Sequence, residues 1–187
     1  QLDLAYTERV RELEFDGLIN AAALTNVDNC EDHRAEAMQS NATAPSVLAE
    51  ICRKKGALFV HLSTDYVFDG EKRTPYTEED AAHPISVYGE SKRAGEELVL
   101  AANERAVVVR VSWVFGPDRP SFVDAILKNA RTEENVSAVA DKFSTPTYTQ
   151  DIAAMFRPLL PDDAFRRLPH LAHGGTFRWL HYAPRWP

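Results

Sequence analysis

Ala57-Leu58-Phe59-Val60-His61-Leu62 is a continuous apolar run of strand length, and Ser63-Thr64 follow it directly. The run does not alternate inside and outside as a half-exposed strand does. Both of its faces must therefore be covered, which is the situation of a strand in a parallel sheet. Upstream, residues 41–55 read as a helix with Val47, Leu48 and Ile51 on one side, stopped by Gly56. Downstream, residues 87–103 read as a second helix. Ala106-Val107-Val108-Val109-Arg110-Val111 then reads as another buried strand. Strand, helix, strand with helices long enough to cross over implies a parallel α/β sheet covered on both faces.

Working outward, residues 7–14 predict a short amphipathic helix capped by Thr7. Gly17-Leu18-Ile19-Asn20-Ala21-Ala22-Ala23 predicts a short buried strand running into small residues. Small side chains there either let a flat ligand lie against the backbone or allow tight helix–strand packing, and both readings stand. Residues 28–39 predict a polar helix with Asp28 as its cap. Residues 63–84 predict a long loop with turn chemistry at Asp69-Gly70 and Thr74-Pro75. Such a length is unusual in a compact domain unless the loop has a task. Further on, the pattern predicts a helix over 122–131, a strand over 136–139 and a helix over 149–160 capped by Thr149 or Asp151. A proline-broken tail follows.

The chain has 187 residues, enough for one domain with a sizeable core. Its formal charge of −7 leaves no basic footprint for nucleic acid. No apolar run reaches membrane-spanning length, and no signal peptide opens the chain. Cys30 and Cys52 both fall in helical stretches and form no C-x-x-C, which makes a reducing cytoplasm the default.

Tyr88-Gly89-Glu90-Ser91-Lys92 carries the chemistry. Tyr88 and Lys92 are four residues apart and share one helical face. A free phenol has a pKa of about 10, and a nearby ammonium is expected to pull it down toward a value useful for proton transfer. Alone, the Y-x-x-x-K pattern is common by chance and reads as a surface tyrosine beside a solvated lysine. Ser63-Thr64-Asp65-Tyr66 changes the balance, because the C-terminal edge of a strand is where open α/β sheets bind ligands.

A dinucleotide fold needs a glycine-rich turn after its first strand, and the eight glycines here form no such motif. Gln1-Leu2-Asp3 resembles the end of a strand. Asp3 is either the carboxylate for the adenosine ribose or the cap of the next helix. The expectation is that one strand–helix–strand unit, roughly 30 or more residues, is missing from the front.

Ser63-Thr64-Asp65-Tyr66-Val67-Phe68-Asp69-Gly70 followed by Tyr88-Gly89-x-Ser91-Lys92 resembles the extended short-chain dehydrogenase/reductases, and most of all the dTDP-4-dehydrorhamnose reductases. Ile19 to Ala23 with Thr25, Val27 and Asp28, the run Arg110 to Gly116, and Ser144 to Tyr148 carry the same resemblance. It extends from about residue 3 to residue 182, with the blocks in the family's order. The resemblance implies a Rossmann-like doubly wound parallel sheet with a small C-terminal substrate-binding part and its first strand–helix unit missing. Residues 1–113 would form the NAD(P)-binding core, and residues 114–187 would contribute the sugar-nucleotide part. It implies hydride transfer from NADPH or NADH to C4 of dTDP-4-dehydro-6-deoxy-L-mannose. Tyr88 would protonate the C4 alkoxide. Lys92 would lower the Tyr88 pKa and bond the nicotinamide ribose, and Thr64 would bond the carbonyl oxygen. Asp65 and Trp113 fall at sugar-nucleotide positions. Asp3, Leu4, Ala22, Ala23, Leu24, Thr25 and Leu62 fall along the cofactor. A homodimer is the oligomer the resemblance allows.

Other readings stay open. Dehydratases of the superfamily carry an Asp-Glu pair after the threonine. Here Asp65-Tyr66 lacks the second carboxylate, which favours plain reduction, and a 4-epimerase is excluded less firmly. The regulatory subunit of methionine adenosyltransferase resembles the same family, and Gly174 to Trp179 is a little like its tail. His170, His173 and His181 could be weighed as zinc ligands. Their proline-flanked setting argues against the rigid frame such a site needs, and no metal site is expected.

Overall fold

In the computed structural model, residues 4–117, 121–133, 135–136, 143–156, 170–171 and 177–178 are described. The chain divides into two compact units: Gln1–Arg110 with Leu159–His170, and Val111–Pro158 with Leu171–Pro187.

The first unit is built on a sheet. Its strands are β1 (Gly17–Asn20), β2 (Leu58–Thr64), β3 (Val107–Val111) and β7 (His170–Leu171), in the order β1-β2-β3-β7. β1 runs parallel to β2, with Gly17 opposite Leu58 and Asn20 opposite His61. β2 is central and mostly buried on both faces, as its apolar run requires. Its alternate residues Phe59, His61 and Ser63 share one face. Phe59 meets Leu48, Ala49, Ile51 and Cys52 of α4 (Ala44–Lys55), Val99 of α5 (Val87–Ala102) and Val108 of β3. Burying that ring stabilises the unit by about 2–3 kcal/mol. Apolar contacts thus occupy the start of β2, and polar ones gather at its end.

The helices depart from the sequence reading in specific ways. α1 spans Leu4–Glu12, so Thr7 is a buried helix-interior residue and not the cap. α2 (Val27–Asp32) is capped by Asn26, whose side chain accepts from Asn29 N, and Asp28 lies in its first turn. The expected single helix over 28–39 breaks at His33, whose backbone leaves helical geometry, and resumes as α3 (Arg34–Met38). A π-helical turn, Gln39–Thr43, joins α3 to α4. Gly56 closes α4 in the left-handed conformation at φ 70°, as expected. β1 is not buried as predicted. Ile19 is 43% exposed, because β1 is the outer strand of this order and only Asn20 turns fully inward.

The expected loop after β2 starts later, since β2 runs through Thr64 and a 3-10 turn covers Asp65–Val67. From there it is tied to itself. Phe68 stacks on Tyr76 at 4.2 Å, and the Asp69 carboxylate accepts from the Tyr76 hydroxyl (2.6 Å) and from Glu71 N (3.0 Å).

In the second unit, β4 (Val114–Phe115) pairs in parallel with β6 (Thr147–Tyr148), and β5 (Phe143–Ser144) pairs antiparallel with β8 (Phe177–Arg178). Ser112 and Ser144 hydroxyls meet at 3.1 Å, and Thr147 donates its hydroxyl to Ser112 O at 2.6 Å. Gly116 allows close approach, for a Cβ there would lie 2.1 Å from Thr149 Oγ1. α6 (Phe122–Thr132) starts in a capping box made by Ser121 and Asp124. α7 spans Thr149–Phe156. The strand expected over 136–139 falls mostly outside the described residues.

Candidate active site

The polar end of β2 faces the first turns of α5. Ser86 caps α5 by accepting from Gly89 N, and the Glu31 carboxylate accepts from Val87 N at 2.8 Å. The close approach of α5 to the turn after β2 explains the glycine in the Tyr-Gly-x-Ser-Lys run: a Cβ at Gly89 would lie 2.2 Å from Tyr66 O, so a side chain there would push α5 off that turn. This close approach sets Tyr88 edge-on to Tyr66, with ring centroids 5.5 Å apart.

Tyr88 is buried, and the Thr64 hydroxyl stands near enough to its phenol to favour the ionised form. The same hydroxyl donates to Asp65 Oδ1 at 3.1 Å and accepts from Tyr66 N at 3.2 Å. The structure therefore brings Thr64, Asp65 and Tyr88 together. Burial pushes the phenol up to about 12, the nearby Thr64 hydroxyl offsets part of the rise, and the Asp65 charge adds to it. This reverses the expected lowering by Lys92.

Lys92, from which the lowering was expected, is held elsewhere. Its ammonium donates to the Leu62 carbonyl at 2.7 Å and faces His61 Nε2 at 3.4 Å. Burial lowers its pKa to about 8, against the raising influence of Glu96 one turn further on. His61 is wholly buried, and burial followed by the Lys92 charge holds it well below its ordinary value, hence neutral. Asn20 Nδ2 donates to His61 Nδ1 at 3.0 Å, which leaves the ring proton on Nε2, facing Lys92. A donor facing the amine disfavours a third proton on it, in the same direction as burial.

Glu96 has no exposure and accepts from Arg110 Nε (2.8 Å) and Nη2 (2.6 Å), and from Arg93 Nη1 (3.1 Å). Burial pushes its carboxyl up, and the Arg110 guanidinium more than offsets it. Arg110 also lies over the Phe68 ring at 5.1 Å, which fastens the loop after β2.

On the other side of α5, Asn41 of the π-helical turn accepts from Leu24 N at 2.8 Å and donates to Leu24 O and Ser91 Oγ, both at 2.9 Å. Ala21 and Ala22 are exposed at the end of β1, so a flat group can lie against that backbone. Ala22, Ala23, Leu24 and Thr25 form the loop that follows. These small residues, the Leu62 carbonyl and the buried Lys92 amine suit the ribose and nicotinamide of a dinucleotide. Leu4 opens α1, and Asp3 lies outside the described residues. Trp113 belongs to the second unit, where its carbonyl accepts from Thr147 N at 3.1 Å and its φ is 36°. His173 and His181 lie outside the described residues. Among the described residues, no cluster of three or more His, Cys, Asp or Glu could hold a metal.

Sequence reasoning missed His61, Glu96, Arg110 and Asn41 as parts of this constellation. His61 was visible as the one polar ring in an apolar run, and Glu96 as a carboxylate one turn past Lys92. Asn41 carried no signal, because its role depends on the π-helical turn.

The family model described as "RmlD substrate binding domain" matches residues 2–185. The spore coat polysaccharide biosynthesis protein SpsK of Bacillus subtilis is 36% identical over 168 residues, 90% of this chain and 59% of that protein. A dTDP-4-dehydrorhamnose reductase of Sinorhizobium fredii is 38% identical over 180 residues, 93% of this chain and 61% of that protein. A solved dTDP-4-dehydrorhamnose reductase of Bacillus anthracis, in complex with NADP, superposes with a TM-score of 0.91 at 32% identity, over 97% of this chain and 64% of that one. The chain thus spans about three-fifths of the length of these relatives. The parallel α/β sheet expected from the strand pattern, and the Rossmann-like architecture that the resemblance implies, are shared with these relatives, and the chain belongs to the RmlD substrate binding domain family.

Proposed function

We propose that this chain carries the catalytic residues of an NAD(P)H-dependent reductase acting on the C4 ketone of dTDP-4-dehydro-6-deoxy-L-mannose, the product being dTDP-L-rhamnose. The observation that carries the reading is the buried Tyr88 phenol beside the Thr64 hydroxyl at the end of β2, with Lys92 anchored one turn along α5. Bound NAD(P)H supplies the hydride to the carbonyl carbon. As the C=O electrons move onto oxygen, Tyr88 gives that oxygen its proton. A phenol held near 12 is fully protonated at neutral pH, the form a proton donor in reduction requires. Thr64 donates to the same oxygen as charge develops there. Lys92, held by Leu62 O, bonds the nicotinamide ribose. Ala22, Ala23, Leu24 and Thr25 line the cofactor side, and Asp3 and Leu4 the adenosine side.

Residues 1–113 form the dinucleotide-binding core and residues 114–187 contribute the sugar-nucleotide part; Asp65 and Trp113 each fall at a sugar-nucleotide position of the family. The strained φ of Trp113, which costs about 1–3 kcal/mol, supports a positioned ring there. Buried free thiols at Cys30 and Cys52 support a reducing, cytoplasmic setting. The test is turnover of the full-length protein, followed as loss of NADPH or NADH absorbance with this sugar nucleotide, in wild type and Tyr88→Phe. Turnover in wild type, lost at least about a hundredfold in the mutant, supports the assignment. A Tyr88→Phe protein with near-normal turnover ends it.

A further inference from the structure

We infer that His61 is a positioning residue for Lys92: Asn20 holds its ring in one tautomer, and the ring turns an N–H onto the amine and so directs that amine at the Leu62 carbonyl. The inference rests on the reductase reading above only for the part that Lys92 plays in turnover. The parallel register puts Asn20 of β1 opposite His61 of β2. Asn20 Oδ1 accepts from Ala22 N at 3.2 Å, which fixes the amide, so Nδ2 is the atom that meets His61 Nδ1 at 3.0 Å. An amide nitrogen only donates. Nδ1 is therefore the bare, accepting nitrogen of the neutral ring, and Nε2 carries the proton. The ring is wholly buried and stacks on Phe59 at an interplanar angle of 13°, which holds its plane. Nε2 thus faces Lys92 Nζ at 3.4 Å as a donor.

Two donors do not bond each other. The ammonium finds no acceptor in the ring and gives a hydrogen to Leu62 O, at 2.7 Å. After losing one proton, the amine has a lone pair for Nε2–H and still donates to Leu62 O. The nitrogen keeps its place in both charge states, and the ring favours the neutral one. The other tautomer would do the opposite, because its bare Nε2 would accept from the ammonium. Glu96, one turn further along α5, favours the ammonium, and it is itself held by Arg93 of α5 and Arg110 of β3. The Asp65 charge bears on Tyr88. β1 and β2 bring the neutral Asn20 and His61. A phenylalanine would fill the same place in the apolar run of β2, but it has no N–H to present.

The test is NMR of the full-length protein, isotope-labelled at the histidine nitrogens and the lysine carbons, with the Lys92 signal identified by its loss in Lys92→Arg. The His61 ring is expected to stay neutral from about pH 6 to pH 9, with its proton on Nε2. His61→Phe keeps the ring volume and removes the N–H. The midpoint of the Lys92 titration is expected to rise in it by about half a pH unit or more. Asn20→Asp offers Nδ1 an acceptor, so the proton is expected to move to Nδ1 and the Lys92 midpoint to rise as well. Wild type and Asn20→Asp carry the test if His61→Phe does not fold. A wild-type ring with its proton on Nδ1 overturns the inference. So does a Lys92 midpoint that stays or falls in folded His61→Phe, or an Asn20→Asp ring that keeps its proton on Nε2. None of these readings depends on turnover. A wild type that leaves the sugar nucleotide unreduced ends the reductase reading, while the two titrations still decide the role of His61.

Discussion

Lys92 Nζ lies 2.7 Å from the Leu62 carbonyl oxygen, while Tyr88, one turn earlier on α5, has its phenol beside the Thr64 hydroxyl. The two groups of the Tyr-x-x-x-Lys pair are therefore anchored separately on β2, and each titrates in its own surroundings. Tyr88 near 12 stays a neutral donor across the physiological range. Lys92 near 8 loses its charge first as pH rises. In the reductive direction, kcat/KM is expected to fall above about pH 8, where Lys92 deprotonates, with no separate loss from the phenol below about pH 10. A pH–rate profile of wild type and Lys92→Arg checks this. The alkaline limb should disappear or move upward in the arginine variant, whose charge persists. A limb that stays in place assigns it to another group.

The same burial has a stability consequence of defined sign. The folded pKa of Lys92, about 8, lies below its ordinary value of 10.5, so the folded chain binds this proton less well than the unfolded chain. The cost is complete below pH 8 and is relieved as pH rises toward 10.5, corresponding to at most about 3 kcal/mol. Lys92→Met is expected to be inactive and yet more stable than wild type at pH 7, by about 1–2 kcal/mol after loss of the Leu62 bond. That advantage should shrink toward pH 10. Denaturant midpoints at the two pH values test it, and a destabilised methionine variant at pH 7 contradicts the sign.

Gly89 and Gly70 separate two uses of glycine. Gly70 has φ 78° and open space where a Cβ would lie, so Gly70→Ala meets only backbone strain of about 1 kcal/mol. A Cβ at Gly89 meets Tyr66 O at 2.2 Å and Pro84 Cβ at 3.0 Å, and neither can rotate away. Gly89→Ala is expected to cost about 2–3 kcal/mol and to lower turnover by displacing Tyr88 from Thr64. Chemical denaturation of the two variants side by side checks the order. If Gly70→Ala proves the costlier, the contact between α5 and the Tyr66 carbonyl is not what requires the glycine.

The parts legible in the sequence were those with a local cause. The apolar run of β2, the left-handed stop at Gly56 and the helix bearing Tyr88 follow from periodicity and glycine chemistry. Hydroxyls at the end of β2 followed from strand position. What escaped depended on contacts between distant residues. Asn26 outcompeted Asp28 as a cap because its oxygen meets Asn29 N. The direction of the Tyr88 shift was misread because spacing along a helix says nothing of how deeply the phenol is buried, and burial is what raises it. Asn41 could not be found at all, since a π-helical turn has no periodic signature and its partners lie 17 and 50 residues away.

Glu96 and Arg110 offer a test of what holds the polar end of β3 to α5. Glu96 is wholly buried and Arg110 is 4% exposed, so neither charge has water to fall back on. Removing Arg110 leaves buried Glu96 only the partly exposed Arg93, and removing Glu96 takes from Arg110 its two-bond carboxylate partner, each at a cost of about 3–5 kcal/mol. Glu96→Leu and Arg110→Met are each expected to fall in that range. The double variant should cost at least about 2 kcal/mol less than the two singles together, since no orphaned charge remains. Urea denaturation of the four proteins measures this coupling, and simple additivity would show the pair to be reached by solvent after all. Arg110→Met also removes the cation over Phe68, so the double variant is expected to recover stability but not turnover. The loop after Thr64 and Asp65 would lose its hold on the sheet even where the core is restored.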